Sequence, residues 1–126
     1  MAAWTSDELN KIGKAEELRI ASLRRDDTLR KPVTIWVVRV GNELYVRSVY
    51  GRSSAWFRGT QARHEGRIQA GGVNKNVTFV EINEFDVHEQ IDAAYRTKYR
   101  RYAASIVNST LTPDARSATI KLVPLE

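Results

Sequence analysis

Gly41-Asn42 separates two apolar, largely β-branched runs, Pro32 to Val40 and Glu43 to Arg47, and this pairing constrains the fold more than any other feature. A two-residue turn with glycine first fits the type II′ hairpin, whose first central position needs positive φ. That turn sets the register, with Val40 opposite Glu43 and Trp36 opposite Arg47. Leu44 and Val46 then share a face with Ile35 and Val37, while Tyr45 and Arg47 share the other with Trp36 and Val38. Both faces of the Val33–Val40 strand are apolar, so both must be covered. The first face is read as core. The second, at once aromatic, cationic and apolar, is expected to meet another subunit or a ligand.

The stretch from Leu29 to Arg58 also concentrates charge. Arg30, Lys31, Arg39, Arg47, Arg52 and Arg58 stand against Glu43 alone, which equals the +5 net charge of all 126 residues. Arginine offers a planar fork for charge-assisted bonds to phosphate. Gly51 lets a backbone approach closely, and Ser48, Ser53 and Ser54 add short donors. Two readings of this loop stand level: a phosphate cradle, or a solvated turn with surface arginines. Trp56 and Phe57 beside Arg58 can stack on a ring system, but such a pair more often fills a core or an interface.

The length suits one domain spanning residues 1–126 with one core. Cysteine is absent, which excludes disulfides and thiolate chemistry and fits a reducing cytoplasm. MAAWTSDELNK lacks the pattern of a secretory signal, and no apolar run approaches the ~20 residues that span a bilayer. A soluble, cytoplasmic protein with no membrane partner is expected. The basic balance raises nucleic acid as a partner, but no long Lys/Arg run exists and acids are spread throughout, so a small anionic ligand is favoured. His64 and His88 have no partner at metal-ligand spacing, and no metal site is expected. No nucleophile elbow, P-loop or dinucleotide fingerprint appears, so any redox chemistry must come from a cofactor.

Along the chain, Thr5 and Glu8 have capping-box spacing, with Trp4 and Leu9 placed for a hydrophobic staple, and predict a helix over about 6–17. Leu18 to Leu23 read as a strand ending at the Asp26-Asp27 turn. Residues 49–63 read as a loop, Gly66 to Ala70 as a strand ending at Gly71-Gly72, and Val77 to Ile82 as another. Asp86 and Glu89 form a second capping-box pair opening the longest helix, about 87–106, with Ile91, Tyr95, Tyr99 or Tyr102, and Ile106 as its apolar stripe. Arg96, Lys98, Arg100 and Arg101 are read as its solvated face. Thr112-Pro113-Asp114 is read as a turn, and Ala118, Ile120 and Leu122 line the buried face of a last strand. Short strands in hairpin order indicate a mainly β, α+β fold. It is a six-stranded antiparallel barrel with an N-terminal helix and a longer helix before the last strand.

The order and spacing of Leu18-Arg-Ile-Ala-Ser-Leu, Asp26-Asp27-Thr28, Pro32-Val33, Gly41-Asn42, Leu44-Tyr45-Val46-Arg47-Ser48, Gly51-Arg52-Ser53-Ser54 with Trp56, and Ile91-Asp-Ala-Ala-Tyr95-Arg-Thr-Lys98-Tyr99 carry a resemblance over almost the whole chain. It resembles the flavin- and deazaflavin-binding split β-barrel superfamily that includes the pyridoxamine 5′-phosphate oxidase-like proteins. Within that superfamily it looks like a small bacterial family of unknown function. The resemblance implies a homodimer with FMN or the deazaflavin F420 at the subunit interface and an FMN- or F420-dependent oxidoreductase activity. The cofactor phosphate is then expected against Arg47, Ser48, Arg52 and Ser53, with Arg30, Gly51, Trp56 and Arg58 as further cofactor-binding candidates. Catalytic residues are not assigned. Some superfamily members bind no flavin, so a cofactor-free binding module on the same barrel stands as the alternative, with nucleic-acid binding behind both.

Overall fold

The hairpin takes the register that its turn chemistry dictates. In the computed structural model, which describes residues 3–82 and 84–125, β3 (Val38–Val40) pairs with β4 (Glu43–Arg47) so that Val40 meets Glu43 and Val38 meets Tyr45. Gly41 adopts φ 60°. The expected Val33–Val40 strand, however, is two strands. β2 (Val33–Ile35) pairs with β1 (Leu18–Ser22), and the chain breaks at Trp36-Val37 before β3 begins. Trp36 therefore lies outside the ladder and has no partner in Arg47.

That break explains the architecture. The remaining strands are β5 (Glu65–Ala70), β6 (Val73–Glu81) and β7 (Thr119–Pro124), and the antiparallel order is β2–β1–β5–β6–β7–β4–β3. β2 and β3 sit at opposite edges of the sheet yet are joined by two residues. The sheet must curl until its two edges share one length of chain, which gives the split barrel. Among the described residues it has seven strands rather than six because the closing strand is counted twice.

The interior holds Leu18, Ile20, Val37, Leu44, Val46, Ile68, Val77, Phe79, Ile120 and Leu122, all buried. Helix α1 (Ser6–Lys14) packs Leu9 and Ile12 against this core, opened by the Thr5–Glu8 capping box, and Trp4 Nε1 donates to the Leu122 carbonyl at 2.9 Å. Part of the hairpin's other face is covered within the chain itself. It is covered by α3 (Phe85–Lys98), whose Ile91 and Tyr95, with Tyr99 just beyond the helix, pack on Val38 and Tyr45. For Val38 and Tyr45, α3 is thus the cover where a partner or ligand was expected, while Trp36 and Arg47 of the same face border a pocket.

Three helical segments also differ from the sequence reading. Residues 49–63 contain a 3₁₀ turn at Gly51–Ser53 and helix α2 (Ala55–Ala62), a segment whose Gly59 and Thr60 disguise it as a loop. The long helix ends at Lys98, and a separate α4 (Ala104–Asn108) carries Ile106, which is half exposed. The N-cap of α3 is Glu84, so the Asp86–Glu89 capping box does not form. Thr112 is an N-cap, accepting from Ala115 N–H at 3.1 Å to open α5 (Pro113–Ser117). No helix among the described residues is long and apolar enough to cross a membrane.

Candidate functional site

The barrel's split is a pocket. Val33 to Trp36 form one side, and Arg47, Val49 and Tyr50 form the other as β4 leaves the sheet. Trp56 of α2, Tyr95 of α3 and the Ile106–Thr110 segment close it, giving a cavity of about 410 Å³ with mostly apolar walls. Four aromatic side chains line it. One ring face of Trp36 is already stacked on Tyr99, with centroids 3.8 Å apart and planes 2° from parallel. Burial holds the Tyr95 phenol protonated well above its usual range, so at neutral pH it is an uncharged wall.

Arg47 lies at the floor, and its charge is already matched. Its Nε donates to Thr119 Oγ1 at 2.9 Å. Its two terminal nitrogens bond the Asp92 carboxylate, the Thr110 carbonyl at 2.9 Å, His88 Nδ1 at 3.2 Å and the His88 carbonyl at 3.4 Å. Those contacts use all five guanidinium N–H groups. Arg116 completes the cluster by donating through Nε to Asp92 Oδ2 at 3.1 Å and pairing with Glu89 at 3.5 Å. Burial pushes the Asp92 carboxyl up, but the hydrogen bonds from Arg116 and Arg47 outweigh it and hold the group below the usual carboxylate range. The cluster ties β4, α3, α5 and β7 together beneath the pocket.

A second, smaller hollow of about 200 Å³ adjoins the first, with Val33 and Trp56 forming the shared wall. Ser22, Arg30, Lys31 and Thr60 line it. Both cations project from the segment just before β2, and neither side chain has an ion-pair partner among the described residues. The hollow holds two cations where the first pocket has only the internally paired Arg47, while Ile20, Ala21, Val33, Ala55 and Trp56 make the rest of its wall apolar.

The sequence-predicted site residues therefore divide. Arg47 and Trp56 line the apolar pocket, while Arg30 and Trp56 line the cationic one. Ser48 is buried, its hydroxyl 2.7 Å from that of Ser54. Arg52 points the other way, bonding Glu81 and the Ser117 carbonyl at 2.8 Å and lying over the Phe57 ring. Gly51, at φ 78°, packs against Asp114, and Ser53 reaches only the Tyr50 carbonyl at 3.5 Å. Arg58 is exposed on α2 and lines neither pocket. The sequence reading missed Ser22, Lys31 and Tyr50. Lys31 lay in the cationic run and was passed over for its neighbour; Ser22 gave no signal beyond strand alternation.

The fold is that of known split-barrel proteins. A pyridoxamine 5′-phosphate oxidase-like protein from Listeria innocua superposes with a TM-score of 0.63 at 12% identity, covering 94% of this chain and 90% of that one. An F420 reductase gives 0.57 at 13% identity, over 94% and 93%. A FAD-binding protein from Mesorhizobium loti gives 0.53 at 16% identity, over 98% and 90%. At such identities the likeness is one of fold. Among curated proteins, none matches the sequence. The profile of a family described as an uncharacterized protein conserved in bacteria, DUF2255, matches residues 8–122, and the chain belongs to that family.

Proposed function

We propose that this chain binds the ring of a flavin or deazaflavin in the split of its barrel and, as a homodimer, supports reduction of a small molecule. One observation carries the reading: an apolar pocket of about 410 Å³, walled by Trp36, Tyr50, Trp56 and Tyr95, opens where the closing strand breaks. Mostly apolar walls with a few convergent polar groups characterise sites for small organic ligands. The residues present fit a planar ring, because aromatic faces and Val33, Ile35 and Val49 supply flat apolar contact, and Thr34, Ser109 and Thr110 supply the polar edge. A bound flavin supplies hydride chemistry at its ring; the chain's residues supply binding, orientation and exclusion of water. Tyr50 is 81% exposed and Ile106 48%, beside half-exposed Val49, and these offer a second copy apolar surface at the pocket mouth.

The test is a titration with FMN, FAD and the deazaflavin, followed by quenching of flavin fluorescence, alongside light scattering for mass. Saturable binding by a dimer is the expected result. No binding of any of the three at high micromolar concentration sinks the reading. That outcome favours a cofactor-free binding module, which one observation already supports: Arg47, the expected phosphate donor, is saturated by the protein itself.

A further inference from the structure

A phosphate-bearing cofactor needs a cation with free donors near the ring pocket, and the resemblance points to Arg47, Ser48, Arg52 and Ser53 for it, with Arg30 as a further candidate. In this chain the first three of these are occupied. Arg47 is spent on Asp92, His88, Thr110 and Thr119; Ser48 is spent on Ser54; Arg52 is held by Glu81 and the Ser117 carbonyl. The adjoining hollow holds cations that are not so occupied. Arg30 and Lys31 line it, exposed and without an ion-pair partner among the described residues.

Two details mark it as a built cavity rather than a surface dimple. Ser22 is only 5% exposed and lines the hollow, yet its hydroxyl has no hydrogen-bond partner among the described residues. The hydroxyl is not sealed off from solvent either, so its free donor opens on the hollow. Secondly, Gly59 lets the α2 backbone, Ser22 and Arg30 approach one another closely beside the hollow. A Cβ there would lie 2.5 Å from Ser22 Oγ and 3.2 Å from both Cδ and Nε of Arg30, so the serine hydroxyl and the guanidinium converge on space that only glycine leaves clear. A helix interior is a poor place for glycine, and here its missing side chain is what admits both groups.

We infer that Ser22, Arg30 and Lys31 form a phosphate-ester subsite that binds the anionic tail of the ligand whose ring occupies the apolar pocket. Two adjacent cations and a short hydroxyl donor suit a compact, doubly charged oxyanion. The shared wall of Val33 and Trp56 lets one ligand reach across both cavities. The tail's attachment to a ring rests on the functional reading above; the anion subsite rests on its own residues.

The experiment compares FMN with riboflavin, which share the ring and differ by the phosphate, on the full chain and on Arg30→Ala, Lys31→Ala and Gly59→Ala, with inorganic phosphate as a third probe. Wild type is expected to bind FMN at least tenfold more tightly than riboflavin. Each variant is expected to lose that preference while keeping its riboflavin affinity, with melting temperature checking the fold of Gly59→Ala. Equal affinity of wild type for both flavins overturns the subsite, as does a preference that survives in both Arg30→Ala and Lys31→Ala. If neither flavin binds, the ring reading falls separately. Inorganic phosphate then decides: a rise in melting temperature lost in Arg30→Ala and Lys31→Ala sustains the subsite, and no rise overturns it.

Discussion

The hydroxyl of Tyr99 meets both backbone polar groups of Val37, accepting its N–H at 3.2 Å and lying 3.1 Å from its carbonyl oxygen. Val37 is fully buried at the point where the closing strand breaks. It has lost its ladder neighbours there, and the tyrosine stands in for them. The same hydroxyl lies 2.9 Å from the Glu16 carbonyl, and Lys98 Nζ donates to Val37 O at 2.6 Å, so the break is pinned from the end of α3. The Tyr99 ring also supports Trp36, and through it the wall of the apolar pocket.

Tyr99→Phe keeps the stacking and removes the hydroxyl. A buried N–H left without a partner costs about 1–3 kcal/mol. Chemical denaturation should show that loss, with Lys98 still satisfying the carbonyl. An unchanged midpoint would mean that the break is not held by this hydroxyl.

The Arg47–Asp92 pair predicts a larger effect. Both side chains are essentially inaccessible, so removing one leaves an uncompensated buried charge. Asp92→Ala should cost about 3–5 kcal/mol. Arg116→Ala should cost less, because its side chain is 30% exposed and water replaces its partner. Urea melts of the two variants compare them directly, and an equal loss would refute the assigned hierarchy.

How much of this was legible follows from where each signal lies. The hairpin register was readable because Gly41-Asn42 carries its own backbone chemistry, and the core face because Leu44 and Val46 repeat with period two. The strand break was not readable: Val33 to Val40 is a continuous apolar run, and its interruption depends on Tyr99, far away in sequence. The cationic loop was visible as charge but not as a site. Whether an arginine is free depends on Asp92, Glu81 and Ser117, which only the fold brings to it. Helix α2 was hidden because the glycine that lowers its propensity serves the cavity beside it.

Acid should loosen the cluster under the pocket in a defined window. His88 Nδ1 faces an Arg47 N–H, so that nitrogen accepts and Nε2–H donates to the Ile82 carbonyl at 3.1 Å. Burial first, then the Arg47 charge, lowers the pKa of His88 from its ordinary value. A depressed folded pKa means that the unfolded chain binds the proton more readily. The contribution is complete above about 6.5, the unfolded value, and is lost as pH falls through the folded one. Asp92, Glu8 and Asp26 also have lowered values, but as carboxylates they act further down, below about pH 4. Thermal melts between pH 7.5 and 5 should therefore decline in wild type and stay flatter in His88→Gln. Parallel curves would exclude His88 as the titrating group.

Gly66 gives the sharpest packing test. It lies in β5 opposite Ser22 of β1 and Val77 of β6, within the continuous sheet. A Cβ at this position would stand 2.1 Å from the Ala21 carbonyl oxygen and 2.8 Å from Phe79 Cζ. The ring can swing a little; the carbonyl belongs to the neighbouring strand and cannot move without shifting β1. Glycine is thus required by close approach, since Gly66 is not among the residues with positive φ. Overpacking of this kind costs about 1–3 kcal/mol or more. The strain falls on β1, which carries Ser22 and pairs with β2 beside Arg30 and Lys31. Gly66→Ala should therefore lower the melting temperature by several degrees and weaken the phosphate preference of the cationic hollow together with it. Gly72→Ala is the control, because at φ 86° it is strained in its turn but a Cβ there meets nothing within 4 Å. It should lose some stability while leaving that preference intact, and a loss of preference in both variants would show that general destabilisation, not displacement of β1, is the cause.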